Sequence, residues 1–465
     1  MIHQPSDRFT QRTNRYQSVG GRRETWRVLE IFYTLRNGCL AALCRPSNRG
    51  NMKPTLRCRL LIAVSIAVVI ATASVILERV LHAAEPLHIY LTYSGAPETS
   101  IDINVLTPER VGAVYVHYDT VSHGGIAQDY AYQIEAPHEP ALMEISDERA
   151  LYVAPIQTLA PGTTYYFVVT DAIGTRSHER KFRTLPGSDK PFRFIDGGDM
   201  GVDESVAGML RTAARTDPDF AIIGGDIAYE NGLLGDYRTW DRWLRNWDQN
   251  MVTTDGRMVP IVTAIGNHET NDYESDELEP RAPWYIGLFG RQGPHVYWSF
   301  RVGDETVFYL LDSGHLVPHE GEQTDWLAAE MERYSNRRNQ FAAYHVPLYP
   351  AHRPYEYDLS AQGRASWAPL FDAYDVDVAF EHHDHVFKRS KPLEAGEIDE
   401  GGTTYVGDGC FGHDTRTVDP HPRWYDEKER SVRHFWVVDV SRDELRVQAI
   451  GSGGDRIDEF TLPTT

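Results

Sequence analysis

At 465 residues the chain is too long for one ordinary hydrophobic core, which excludes a single small domain and predicts two or three domains behind any targeting segment. Residues 1–59 hold 12 of the 46 Lys and Arg but 3 of the 67 Asp and Glu, so the net charge of −21 becomes −30 over the remaining residues. A surface that acidic argues against nucleic acid or anionic lipid as a partner, and with only Cys410 beyond the first apolar run the folded part has no disulfide to form.

Leu60–Leu77, LLIAVSIAVVIATASVIL, contains no charge and follows Lys53, Arg57 and Arg59. Read from Met52, it has the basic region, apolar run and small-x-small site, Ala71-Thr72-Ala73, of an export signal. Its length also suits an uncleaved membrane anchor. Residues 1–51 are therefore expected to be a disordered basic tail or a mis-assigned start, and residues 52–84 a signal peptide or anchor. On either reading the acidic remainder is secreted, periplasmic or at the cell surface.

Residues 85–186 read as β. HIYLTY, the alternation of Ile101, Ile103 and Val105 with polar residues, VYVHY, and YYFVVTDA after the turn LAPGTT are short strands separated by turn signals, with no helical period between them. About 100 such residues predict a fibronectin type III-like sandwich, and the Tyr following Pro161-Gly162-Thr163 stands where a tyrosine corner would be. FRTLPGSDKP, Phe182 to Pro191, is expected to be the linker.

Residues 187–465 alternate apolar runs with helical stretches such as SVAGMLRTAAR and TDWLAAEMERY. Asp199 and Asp226 lie 27 residues apart, about one strand-helix-strand unit. The expected class is α/β, with ligands at the carboxyl ends of the strands. Each such end carries polar residues: GDMG with Asp199, GDIAY with Asp226 and Tyr229, GNHE with Asn267 and His268, then His345, then HHDH with His382, His383 and His385. The donors among them suffice for two adjacent metal ions. Gly407 to Gly412 matches GxGxxG, but HDTRTVDPHP follows where a helix would have to begin, so it is no dinucleotide fingerprint. His315 and His319 lie in a polar loop and are expected at the solvated surface.

These motifs resemble those of the calcineurin-like metallophosphoesterase superfamily and, within it, the purple acid phosphatases, whose pattern is GDxG, GDxxY, GNH followed by an acidic residue, VxxH and GHxH. The resemblance covers roughly residues 85–460 and implies a sandwich of two mixed β-sheets flanked by helices, preceded by an all-β sandwich domain. It implies iron(III) on Asp199, Tyr229 and His385, a divalent zinc, manganese or iron ion on Asn267, His345 and His383, and Asp226 bridging both. It further implies that His268, and His352 in HVPLYPAHRP, contact the substrate. The chemistry of Tyr229 agrees, because a phenolate is a hard anionic donor suited to a trivalent ion.

The function implied is hydrolysis of small-molecule phosphate monoesters by a metal-bound hydroxide, an acid phosphatase. Alternatives are a phosphodiesterase or nucleotide pyrophosphatase using the same ions, and a non-catalytic surface binding protein. Two departures from the family pattern stand out. The family's Gly is His382 here, which puts the His383 geometry in question, and its VxxH is Ala342-Ala343-Tyr344-His345. His383 and His385, one residue apart, would point in opposite directions in an extended segment, so a bend between them is required.

Overall fold

A computed structural model describes residues 88–464 apart from residues 109, 140–148, 173–175, 272, 274, 276, 294 and 408. The expectations for residues 1–51 and 52–84 lie outside the described residues. Among those described, no helix is long and apolar enough to cross a membrane.

The N-terminal strands form two facing sheets. His88–Thr92, Ile101–Thr107 and Ala150–Ile156 pair antiparallel, with short His138–Glu139 at the edge. Opposite them lie Tyr132–Ala136, Val114–Asp119, Thr164–Asp171 and Arg180–Arg183. Alternation decides which side chains enter the core: Val114 and Val116 on one strand and Tyr165, Phe167 and Val169 on another are buried, whereas Tyr115 and Tyr166 between them are not. The tyrosine corner is present, with Tyr165 Oη accepting a hydrogen bond of 2.9 Å from the Ala160 amide. The linker is shorter than expected at its start. Phe182 and Arg183 belong to the last strand, and Phe182, with Leu185 just beyond it, is fully buried in the core that the sandwich strands enclose.

The first sheet does not end with the sandwich. Thr92 pairs with Ile261 in parallel, joining those strands edge to edge with Ile261–Ala264, Phe220–Gly224 and Phe192–Gly197 and then with His434–Val440, Glu444–Gly451 and Arg456–Pro463 in one ten-stranded sheet. The helix Tyr237–Asn250 covers the junction. Its Trp240, Trp243 and Trp247 repeat at helical spacing and are buried together with Tyr90 and Val153 of the sandwich strands. This helix was not singled out from the sequence, since its apolar stripe is carried by tryptophans set among Arg and Asp.

A second, seven-stranded sheet holds Trp298–Val302, Thr306–Leu310, Asn339–Ala343, Val378–Phe380, Thr404–Gly407, Phe387–Ser390 and Asp426–Arg430 in that order. Phe194 locks the two sheets face to face, packing on Phe308, Phe341 and Phe380 with ring centroids 5.0, 5.4 and 5.8 Å away and planes at 72–90°. Edge-to-face contacts of this kind add roughly 0.5–1.5 kcal/mol each beyond the area they bury. Helices Glu204–Ala214 and Tyr237–Asn250 cover one outer face, and Glu322–Arg333 with Ala368–Ala373 the other. The architecture is the expected one: two mixed sheets flanked by helices, preceded by an all-β sandwich.

Candidate metal centre

Parallel strands carry the candidate ligands to one edge of the molecule. Asp199 follows Phe192–Gly197, Asp226 and Tyr229 follow Phe220–Gly224, and Asn267 follows Ile261–Ala264, three neighbouring parallel strands. His345 follows Asn339–Ala343, and His383 and His385 follow Val378–Phe380, again neighbours in parallel. Where the chain leaves these strands it adopts the left-handed region at non-glycine residues: φ is +52° at Asp199, +51° at Asp226, +63° at Tyr229, +77° at His383 and +55° at His385. Such conformations cost on the order of 1–3 kcal/mol each and cluster at functional sites. They also supply the bend that aims His383 and His385 at one place. His382 is not among the left-handed residues, so its position does not require the family's glycine. Gly225, at φ +92°, does have to be glycine, since a Cβ there would meet the Gly266 amide nitrogen at 2.6 Å.

The side chains converge in two groups that share Asp226: Asp226 with His345 and His383, and Asp199 with Asp226 and His385, the ligand atoms of each group lying within 4.8 Å of one another. In the first group His345 Nε2 is 3.1 Å from Asp226 Oδ2, 3.1 Å from His383 Nδ1 and 3.2 Å from Asn267 Oδ1. In the second, His385 Nε2 is 2.8 Å from Asp199 Oδ1, and Tyr229 Oη stands 3.3 Å from both. All seven sequence-predicted ligands are thus brought together. Two imidazole nitrogens face each other beside carboxylate oxygens, and the buried His383 Nε2 has no hydrogen-bond partner among the described residues. Lone pairs turned on one another instead of on donors suit a cation, so the donor set fits two ions.

The distal ring nitrogens are held by backbone carbonyls, His345 Nδ1 by Gly224 at 3.0 Å and His385 Nδ1 by Asp414 at 3.0 Å, which fixes the rings as metal ligands require. Burial works to raise the Asp199 carboxyl, but His385 overrides it and holds that group well below the usual range. Burial works to lower the His345 imidazole, and the adjacent Asp226 carboxylate outweighs it, raising the group to about 9. The Tyr229 phenol is pushed far up by burial and by the Asp199 and Asp226 charges. A multivalent cation is what would make a phenolate there.

Glu269 is fully buried and accepts hydrogen bonds from the amides of Asp226 (2.8 Å), Ile227 (2.7 Å) and Gly266 (2.9 Å). It clamps the Asp226 turn to the Asn267 turn and does not itself face the cluster. His268 projects at the rim, its ring about one-third exposed, with Nε2 3.9 Å from Asp226 Oδ2 and Nδ1 bonded to Asn231 Oδ1. His352 is placed differently. Its amide bonds Asp384 Oδ2 at 2.8 Å and its ring Nδ1 faces the Thr417 carbonyl at 2.7 Å, and among the described residues no hydrogen bond or ring stacking joins it to the candidate ligands.

His319 is fully buried against Trp367, and His315 packs on His345 at 5.7 Å, so neither is the solvated surface residue expected. The cause is Asp312, whose carboxylate accepts the amides of His315, Leu316 and Val317 and folds the polar loop inward. Burial pushes the His315 imidazole down to about 3, leaving it neutral beside the cluster. His413, which no sequence motif marks, stacks its ring on Tyr229 at 4.5 Å. Its only sequence signal was its place just after the GxGxxG decoy.

Residues 86–184 match the purple acid phosphatase N-terminal domain, and residues 197–387 match the calcineurin-like phosphoesterases. The chain carries a calcineurin-like phosphoesterase domain and is purple acid phosphatase-like. This purple acid phosphatase-like chain is 25% identical over 285 residues to purple acid phosphatase 15 of Arabidopsis thaliana, an alignment covering 55% of this chain and 52% of that protein. With purple acid phosphatase 21 of the same plant it shares 26% over 334 residues, 69% of this chain and 68% of the relative. The chain spans about half the length of the first of these relatives. A purple acid phosphatase from yellow lupin (Lupinus luteus) seeds superposes with a TM-score of 0.67 at 17% identity, over 82% of this chain and 74% of that one, which shows the shared fold.

Proposed function

We propose that the chain is an exported acid phosphatase that cleaves small-molecule phosphate monoesters, with iron(III) on Asp199, Tyr229 and His385, a divalent zinc, manganese or iron ion on Asn267, His345 and His383, and Asp226 bridging them. The observation that carries this reading is the pair of buried donor groups sharing Asp226. When bound, the ions would activate water and neutralise the phosphoryl oxygens. Export rests on the apolar run after Met52.

The chain's own residues do the rest. Three anionic ligands against formal charges of +3 and +2 would leave about +2 at the loaded site and would favour a phosphate dianion there, while the acidic surface is screened beyond roughly 8–10 Å in physiological salt. The amide of His268 donates to Asp226 Oδ1 at 2.8 Å, leaving Oδ2 toward His345. The His268 imidazole, held by Asn231 at the rim, reaches a phosphoryl or leaving-group oxygen.

Metal analysis and a visible spectrum of the purified protein test the assignment. Iron with a second metal and a broad phenolate-to-iron band are expected, the band disappearing in Tyr229→Phe; a colourless protein holding two zinc or manganese ions would refute the iron assignment. Glu269→Gln should weaken metal retention about 10- to 100-fold in chelator competition, because one amide oxygen cannot replace a carboxylate that accepts three backbone bonds. Retention equal to wild type would show that the clamp is dispensable.

A further inference from the structure

The segment Phe411–Thr417, FGHDTRT, is laced across the metal-ligand loops. The Phe411 amide donates to the Gly198 carbonyl at 2.9 Å, and the Gly412 and His413 amides both donate to the Asp199 carbonyl, at 3.2 and 3.0 Å. The Arg416 amide donates to the His385 carbonyl at 3.0 Å, and its guanidinium to the His383 carbonyl at 3.1 Å. Just ahead, Gly409 at φ +81° passes so close that a Cβ would lie 1.9 Å from Asp199 Oδ2. The backbone of this strap is therefore set by the loops that carry Asp199, His383 and His385, and one side chain is held at their mouth.

That side chain is His413. Its ring stacks on Tyr229, centroids 4.5 Å apart with planes at 23°, and lies 4.9 Å from the His385 ring. Tyr229 is flanked by a second imidazole, His268, at 4.3 Å. His413 is exposed, and neither of its ring nitrogens bonds to a described residue, although its backbone amide and carbonyl are both engaged. His352, in contrast, has its Nδ1 turned to the Thr417 carbonyl. An imidazole fixed by its backbone and by stacking, with free nitrogens at the mouth of a cationic pocket, is preorganised to bond an oxyanion.

We infer that His413 is a second substrate-contacting histidine, bonding an oxygen of the phosphate ester on the Asp199, Tyr229 and His385 side of the site while His268 serves the Asp226 side. This rests on the phosphoester reading above. A purely structural alternative exists, in which His413 only covers Tyr229, and one substitution separates the two. His413→Phe keeps the stacked ring and removes both nitrogens.

The test is calorimetric binding of inorganic phosphate to the metal-loaded full chain, with kcat and KM for an aryl phosphate, metal content and thermal midpoint measured alongside. For His413→Phe we expect phosphate affinity about tenfold lower, the scale of one hydrogen bond to a charged group, with KM raised in step, and metal content and midpoint as in wild type. Wild-type phosphate affinity and KM in His413→Phe would overturn the inference alone. A metal-loaded wild-type protein that binds no phosphate would overturn the phosphoester reading and this inference with it.

Discussion

Asp226→Asn should leave the protein folded and lower turnover of an aryl phosphate monoester by about 10³-fold, the scale on which loss of one electrostatic stabiliser acts in a hydrolase site. The substitution is unusually clean at this position. Asp226 sits at φ +51°, a conformation that asparagine tolerates better than most residues, so the backbone has no reason to move. The amide oxygen of Asn can keep the 2.8 Å bond from the His268 amide, and the Glu269 clamp acts on the backbone of residue 226, not on its side chain. What is lost is the negative charge shared by the two ligand groups. Metal analysis should therefore show that the pair of ions is no longer held together, while the thermal midpoint changes little. Running the assay with a bis-aryl diester beside the monoester separates the phosphatase reading from the phosphodiesterase one. Unchanged turnover in Asp226→Asn would refute the two-metal mechanism.

The places of the candidate ligands were legible because each follows an apolar run, and a buried parallel strand leaves its next polar residue at the sheet edge. Asp199, Asp226, Asn267, His345 and the HHDH cluster all sit where that rule puts them. The neighbours of the ligands were not legible, because loop hydrogen bonds that belong to no strand or helix period place them. Asp312 folds His315 against His345, and the Asp199 carbonyl seats His413 over Tyr229 from more than 200 residues away. No local period encodes either contact. At His352 a family position suggested the role, and what the fold adds is the Thr417 carbonyl that holds its Nδ1. The tryptophan helix Tyr237–Asn250 was hidden by its own composition, and the continuity of the sandwich with the catalytic sheet rests on the single pair Thr92 and Ile261, which no strand pattern announces.

His382→Gly, which restores the residue found in the family, should lower the free energy of unfolding by roughly 3–5 kcal/mol instead of improving the protein. The imidazole is buried behind the metal loops, with Nδ1 2.8 Å from the Tyr344 carbonyl and Nε2 3.1 Å from Asp196 Oδ1. Asp196 is equally buried, and its other carboxylate oxygen has no partner among the described residues, so removing the ring strands a buried carboxylate and opens a cavity as well. Burial works to lower the His382 imidazole, yet the Asp196 carboxylate outweighs it and raises the group, while burial raises the Asp196 carboxyl against the opposing pull of His382. Space for the ring exists only because Gly198 and Gly224 line it: a Cβ on Gly224 would lie 1.8 Å from His382 Cε1, and one on Gly198 2.6 Å from Cδ2. Gly224→Ala alone should therefore be at least as damaging as His382→Gly, through overpacking on a strand that leads directly into Asp226. Combined, the two substitutions should be far less destructive than their sum, because the methyl group enters the space the imidazole has left. Equilibrium denaturation of the two single variants and the double variant measures that coupling. Strict additivity, or a His382→Gly variant as stable as wild type, would show that His382 is a tolerated replacement and not the partner around which these two glycines are arranged.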